Sequence, residues 1–143
     1  MTRFISHINK YRLLSISIGI IYLWFGALKF FPELSPADAL AKQTITFLTV
    51  GFLPEKVSIL MLALIEVTIG AFLICNFQIK KVVIAAILHL MFTFIPVLFF
   101  PETSFAKAPF VLTLVGQYII KNIVIISALL FIYPLEEYKR EAF

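Results

Sequence analysis

Glu66, His89 and Lys121 stand inside long apolar runs of the chain, where an ionisable side chain needs a partner or a polar cavity. A carboxylate, an imidazole and an ammonium in such surroundings can form a buried ion pair, pass a proton, or hydrogen-bond an oxygen of a polar ligand. Further polar groups flank them: Gln117, Tyr118 and Asn122 around Lys121, and Lys29 close to the end of the first apolar run. Trp24 in that same run offers a flat ring for stacking. The single cysteine, Cys75, excludes an intramolecular disulfide, a CxxC redox pair and a cysteine-rich metal site. The other histidine, His7, lies in the N-terminal arm, so a bis-histidine haem cannot be built within one chain, and no metal site is expected.

The elements that must position these residues are set by composition. Of 143 residues, 62% are hydrophobic and 14% charged, against about 45–50% and ~25% in an ordinary soluble domain. Four apolar runs carry the excess, at residues 13–31, 57–75, 82–100 and 110–133. Each matches the ~20 residues needed to cross a hydrocarbon core of ~30 Å. The expected fold is therefore all-α: one domain over residues 1–143, an integral membrane four-helix bundle of up-down topology. The first run is longer than a signal-peptide core and lacks a small-x-small exit, so it reads as a retained helix.

Lysine and arginine outside the runs set the orientation. Arg3, Lys10, Arg12, Lys80, Lys81, Lys139 and Arg140 fall on one side, and Lys42, Lys56 and Lys107 on the other. By the positive-inside tendency both termini are cytoplasmic. This bias also accounts for the net charge of +4 without any nucleic-acid partner. In the long first external connection, Ser35 as N-cap and Pro36 at the first helical position start a short amphipathic helix from 36 to 48. Leu40, Thr44, Phe47 and Leu48 share one side of it, and Gly51 and Pro54 end it.

Counted at 1.5 Å per residue from the external ends of their runs, Glu66, His89 and Lys121 all lie roughly 16 Å deep. Helical spacing gives each run a face of small and polar residues: Ser15, Gly19, Tyr22, Gly26 and Lys29; Ala63, Glu66 and Gly70; Ala85, Ala86, His89 and Pro96; Gln117, Lys121 and Ala128. Small residues mark close helix approach in membranes. The expected pair is Glu66 with Lys121. Lys29, two residues from the end of its run, is expected to reach the outer headgroups, and His89 to be a hydrogen-bonded bundle histidine. Pro96 is expected to bend the third span. Two readings stay open for the polar cluster: a device that fixes helix register, with Gln117, Tyr118 and Asn122 satisfying the remaining groups, or a pocket for a small ligand.

The segments "LWFGALKFFPELSP", "ALIEVTIGAFLI" and "GQYIIKNIVIISALL" resemble the DoxX-like family of small four-helix membrane proteins. Within it they look most like the branch of bacterial inner-membrane proteins of reactive-chlorine resistance, with FGxLKF and GQYxxKN the most specific parts. The resemblance implies a bacterial cytoplasmic (inner) membrane location and gives Lys29, Glu66 and Lys121 the family's characteristic polar positions. It also implies a membrane component of a redox or oxidative-stress-defence system, binding a quinone or another small molecule rather than acting as a complete enzyme. In that role Lys29 and Lys121 would hydrogen-bond an acceptor oxygen, Glu66 would hold Lys121 charged or relay a proton, and Trp24 would stack on the ring. The partners expected are the lipid bilayer, a soluble or membrane redox partner, and further copies of the chain. A non-enzymatic helper that anchors a partner protein is the alternative, and a small transporter the third reading.

Overall fold

The computed structural model describes residues 9–31 and 38–133. Within them, four helices are long and apolar enough to cross a membrane. Helix α1 (Lys10–Leu28) opens on Asn9, whose side chain accepts the Arg12 N–H at 3.0 Å and so satisfies one of the free donors of the first turn. It lies about a turn closer to the N-terminus than the expected 13–31. Helix α2 (Asp38–Leu48) is the short helix expected in the first connection, with Thr44 buried and Lys42 paired to Asp38 at 2.6 Å. The cap expected at Ser35 and Pro36 lies outside the described residues.

Past α2 the backbone turns through left-handed conformations at Val50 and Gly51, and Gly51 donates to the Thr46 carbonyl at 2.9 Å. Helix α3 (Glu55–Cys75) follows Pro54 and stops at Asn76, whose φ of 56° places it in the left-handed region that asparagine tolerates at helix ends. The third span is broken into α4 (Ile79–Phe92) and α5 (Ile95–Phe99). Pro96 causes the break, since its ring has no N–H to give and clashes with the carbonyl four residues back, at Phe92, the last residue of α4.

The connection to the last helix differs from the all-helical expectation. After α6 (Pro101–Ser104), strand β1 (Phe105–Lys107) pairs antiparallel with β2 (Val111–Leu112), and only then does α7 (Leu114–Ile132) begin. The expected start at residue 110 fails for a local reason. Val111 and Leu112 are taken up by pairing with Phe105–Lys107, and the Thr113 side chain accepts the Gly116 N–H at 3.1 Å and makes Thr113 the N-cap.

Packing is closest between α1 and α3. A Cβ at Gly19 would lie 2.7 Å from Ile74 and 2.8 Å from the Gly70 carbonyl, so the two glycines let the backbones touch. Helix α3 also packs on α4, α4 on α7, and α7 on α1, closing a ring of four. Ile18, Tyr22, Ile69, Leu73, Val83 and Leu129 belong to its buried core. At the end of the ring where α1 starts, Arg12 donates to the carbonyls of Leu73 and Ile74, and Ser15 to Leu73 at 2.9 Å. A cation thereby covers the negative end of α3.

Candidate functional site

The site is built on the seam between α1 and α3. Tyr22, Gly26 and Lys29 follow one another on one face of α1. Gly26 makes the room: a Cβ there would sit 2.9 Å from the Cβ of Glu66 and 3.0 Å from Val67. Glu66 can therefore enter the seam between Tyr22 and Lys29. Its Oε2 accepts from Lys29 Nζ at 2.6 Å, and its Oε1 lies 3.2 Å from His89 Nε2 of α4. His89 Nδ1 is 3.2 Å from the Tyr22 hydroxyl, which also donates to the Ala86 carbonyl at 3.1 Å. Lys29, Glu66, His89 and Tyr22 form one chain of polar contacts across three helices.

These groups are withdrawn from the surface. The side chains of Lys29, Glu66 and His89 are 7%, 9% and 15% exposed, and Tyr22 is buried. In hydrocarbon an unpaired charge is costly, on the order of 2.5–3.5 kcal/mol on insertion scales, and here the ammonium and the carboxylate answer each other.

The expected pair of Glu66 with Lys121 is not formed. Helix α7 turns Gly116, Ile119, Leu129 and Ile132 inward, and Lys121 lies off that face, exposed, with Nζ 5.5 Å from the Tyr118 ring centroid. Gln117 and Tyr118 are exposed beside it. Lys29 takes the place expected for Lys121, contrary to its expected reach toward the headgroups. The end of α1 meets α3 at Glu66 and Val67 rather than at its start, so residues 55–65, roughly 16 Å of helix, extend beyond it. Lys29 is thereby held deep along α3.

Asn122 belongs to a separate contact. It donates to Thr93 Oγ1 at 2.9 Å, and Thr93 donates to the Leu90 carbonyl at 2.6 Å, tying α7 to the break in the third span. Trp24 points out of the bundle, 66% exposed, and touches none of the chain Lys29, Glu66, His89 and Tyr22. Sequence reasoning placed Tyr22 on the right face of α1 without assigning it a partner. Its spacing of seven from Lys29, two helical turns, was the available signal.

The arrangement can hold a proton in two ways. With His89 protonated on Nε2 alone, Nδ1 accepts from the Tyr22 hydroxyl. With both nitrogens protonated, Nδ1 donates to the Tyr22 oxygen and the hydroxyl donates to Ala86. Neither state leaves a donor unmatched. Lys29 donates to Glu66 and, at 3.5 Å, to the Phe25 carbonyl, which leaves one of its three N–H groups for another oxygen. Two grooves lie elsewhere on the molecule. One of about 430 Å³ runs between α3 and α4, and one of about 750 Å³ lies beside α2, lined by Gln43, Phe47, Val50 and Phe100 among others.

Compared with known proteins, the chain matches no family model, no curated protein and no solved structure. The class follows from the fold: four apolar helical spans of 19 to 21 residues, the third of them broken before Pro96, make this a multi-pass membrane protein.

Proposed function

We propose that this chain is a DoxX-like component of a redox or stress-defence system in the bacterial inner membrane, an up-down bundle with both termini cytoplasmic. In this reading the Lys29, Glu66, His89 and Tyr22 chain hydrogen-bonds an acceptor oxygen and exchanges a proton with it. The observation that carries the reading is the shared carboxylate: Glu66 is held by an ammonium from one helix and an imidazole from another, with a phenol behind the imidazole. Ionisable residues at this depth mark sites by default, and a buried charge pair that only fixed register would not need a two-state proton carrier attached to it.

The donor set suits a quinone head group, whose carbonyl oxygen accepts a hydrogen bond. Lys29 would hold that oxygen with its remaining N–H, Glu66 would keep Lys29 charged and oriented, and His89 would be the residue that gains or loses a proton, with Tyr22 adjusting. A bound quinone would supply the electron chemistry, and the electrons would come from a partner protein. Trp24 has no part in this arrangement, since it faces away.

The test is complementation under oxidant stress, beside a thermal melt of the purified protein in detergent. The paired variant Lys29→Met/Glu66→Gln replaces both charges with groups of similar size. It is expected to insert and melt near the native temperature but to lose protection and any extractable lipid-soluble ligand. Normal melting with full protection would remove the site and leave the anchoring reading. That second reading has its own support in the outward polar face of α7, where Lys121, Gln117 and Tyr118 are open to a partner in the membrane.

A further inference from the structure

The groove between α3 and α4 begins at the turn joining them and runs inward along both helices. Gln78 and Lys81 stand at its mouth, Phe72, Ile69 and Val82 form its walls, and Thr68 and Ala85 line its deeper end. From Gln78 to Ala85 the groove descends about 10 Å along α4. Its shape has a sequence cause. Thr68 and Ala85 are small residues at positions exposed between two helices, so their neighbours are not filled in, while Phe72 is held at one side by an edge-on contact with Phe77 at 5.1 Å.

We infer that this groove seats one acyl chain of an anionic phospholipid, with the headgroup phosphate at Lys81 and Gln78. The polarity gradient matches a lipid and not a compact solute: a cation and an amide at the rim, apolar walls below, and an open side facing the bilayer. The charge is also of the right sign. Lys81 is exposed at the mouth itself. Basic residues at pockets between spanning helices attract anionic headgroups, and a volume of about 430 Å³ lies within the range of small-molecule sites, about 300–1,000 Å³. The inference does not rest on the proton-handling site, which lies on the other seam of α3.

The full chain is reconstituted into phosphatidylcholine vesicles, and spin-labelled phosphatidylglycerol or spin-labelled phosphatidylcholine is added as probe. The motionally restricted fraction of each probe is then compared. The native chain is expected to restrict the anionic probe about fivefold more than the zwitterionic one, the factor expected of a single lysine beside an anionic headgroup. Lys81→Gln should abolish the preference and Lys81→Arg should keep it. Thr68→Leu and Ala85→Phe, on opposite walls and both at exposed positions that tolerate substitution, should each lower the restricted fraction of both probes. A preference that survives Lys81→Gln, or a restricted fraction unchanged by both wall variants, would overturn the proposal.

Discussion

Glu66 is asked to satisfy two bases at once, and its position follows from a missing side chain opposite it, at Gly26. This makes the three charged or chargeable residues unequal. Removing the carboxylate by Glu66→Gln leaves Lys29 without its counter-charge, and breaking a buried pair in this way costs roughly 3–5 kcal/mol. Lys29→Met should cost less, because His89 still contacts the carboxylate and hydrogen-bonds it. The paired variant Lys29→Met/Glu66→Gln should lose clearly less than the two single losses added together, the mark of direct coupling. Lys121→Met, by contrast, removes a cation set over the Tyr118 ring on the outward face of a spanning helix and should not destabilise the protein, because a charge facing hydrocarbon is itself costly. Unfolding in mixed detergent micelles ranks the four variants. If Lys121→Met proved as damaging as Glu66→Gln, the partner assignment of Glu66 to Lys29 would be wrong.

At the scale of the helices, the α1 to α3 seam is where substitution should be least forgiven. A Cβ at Gly70 would lie 2.7 Å from both the Gly19 carbonyl and the Leu23 amide, and backbone cannot step aside as a side chain can. Gly70→Val should therefore separate the two helices and cost at least the upper part of the ~1–3 kcal/mol typical of overpacking. Gly51→Ala meets nothing nearby, but its φ of 74° should still cost about 1–2 kcal/mol. Both are read by the same unfolding measurement, and a negligible loss for Gly70→Val would show that α1 and α3 do not pack through Gly19 and Gly70. The seam was legible in the sequence, since small residues at helical spacing put Gly19, Tyr22, Gly26 and Lys29 on one face and Glu66 and Gly70 on another. The rotation of α7 was not legible. A helix that is apolar on nearly every side carries little record of which side faces its neighbours, and Gly116, Ile119, Leu129 and Ile132 claimed the inward face from Lys121. Depth counting failed at Lys29 because it assumed helices starting and ending flush, whereas α1 ends beside the middle of α3. The break before α5 was foreshadowed by Pro96, but the hairpin was not, since β1 lies in the connection before the fourth run and β2 lies at the start of that run, where apolar residues looked like more helix.

Across the whole molecule, charge divides the two ends. Lys10, Arg12, Lys80 and Lys81 lie at the end where α1 starts and α3 finishes, while Lys42 of α2, Lys56 in the first turn of α3 and Lys107 of β1 lie toward the opposite end. Adding Arg3, Lys139 and Arg140, which lie outside the described residues, gives seven against three if the bundle runs up and down. The positive-inside tendency would then place the α3 to α4 turn in the cytoplasm and the hairpin outside. That orientation would link the two sites argued above to two different leaflets: the groove at Lys81 would meet the anionic cytoplasmic leaflet, and the Glu66 centre would lie toward the outer half, reached past the end of α1. Reporter insertions decide it. A reporter at Asn76 and another fused to the C-terminus should both be active as cytoplasmic reporters, and one at Thr103 should be active only as an external one. An Asn76 reporter on the outside would invert the molecule and put the groove in the wrong leaflet for its lipid. A C-terminal reporter on the opposite side from Asn76 would be more damaging, because it would require an odd number of crossings between the α3 to α4 turn and the end of the chain. In that case either α7 or the broken α4 and α5 segment would not cross, and the ring of four helices that holds His89 against Glu66 could not stand upright in the bilayer.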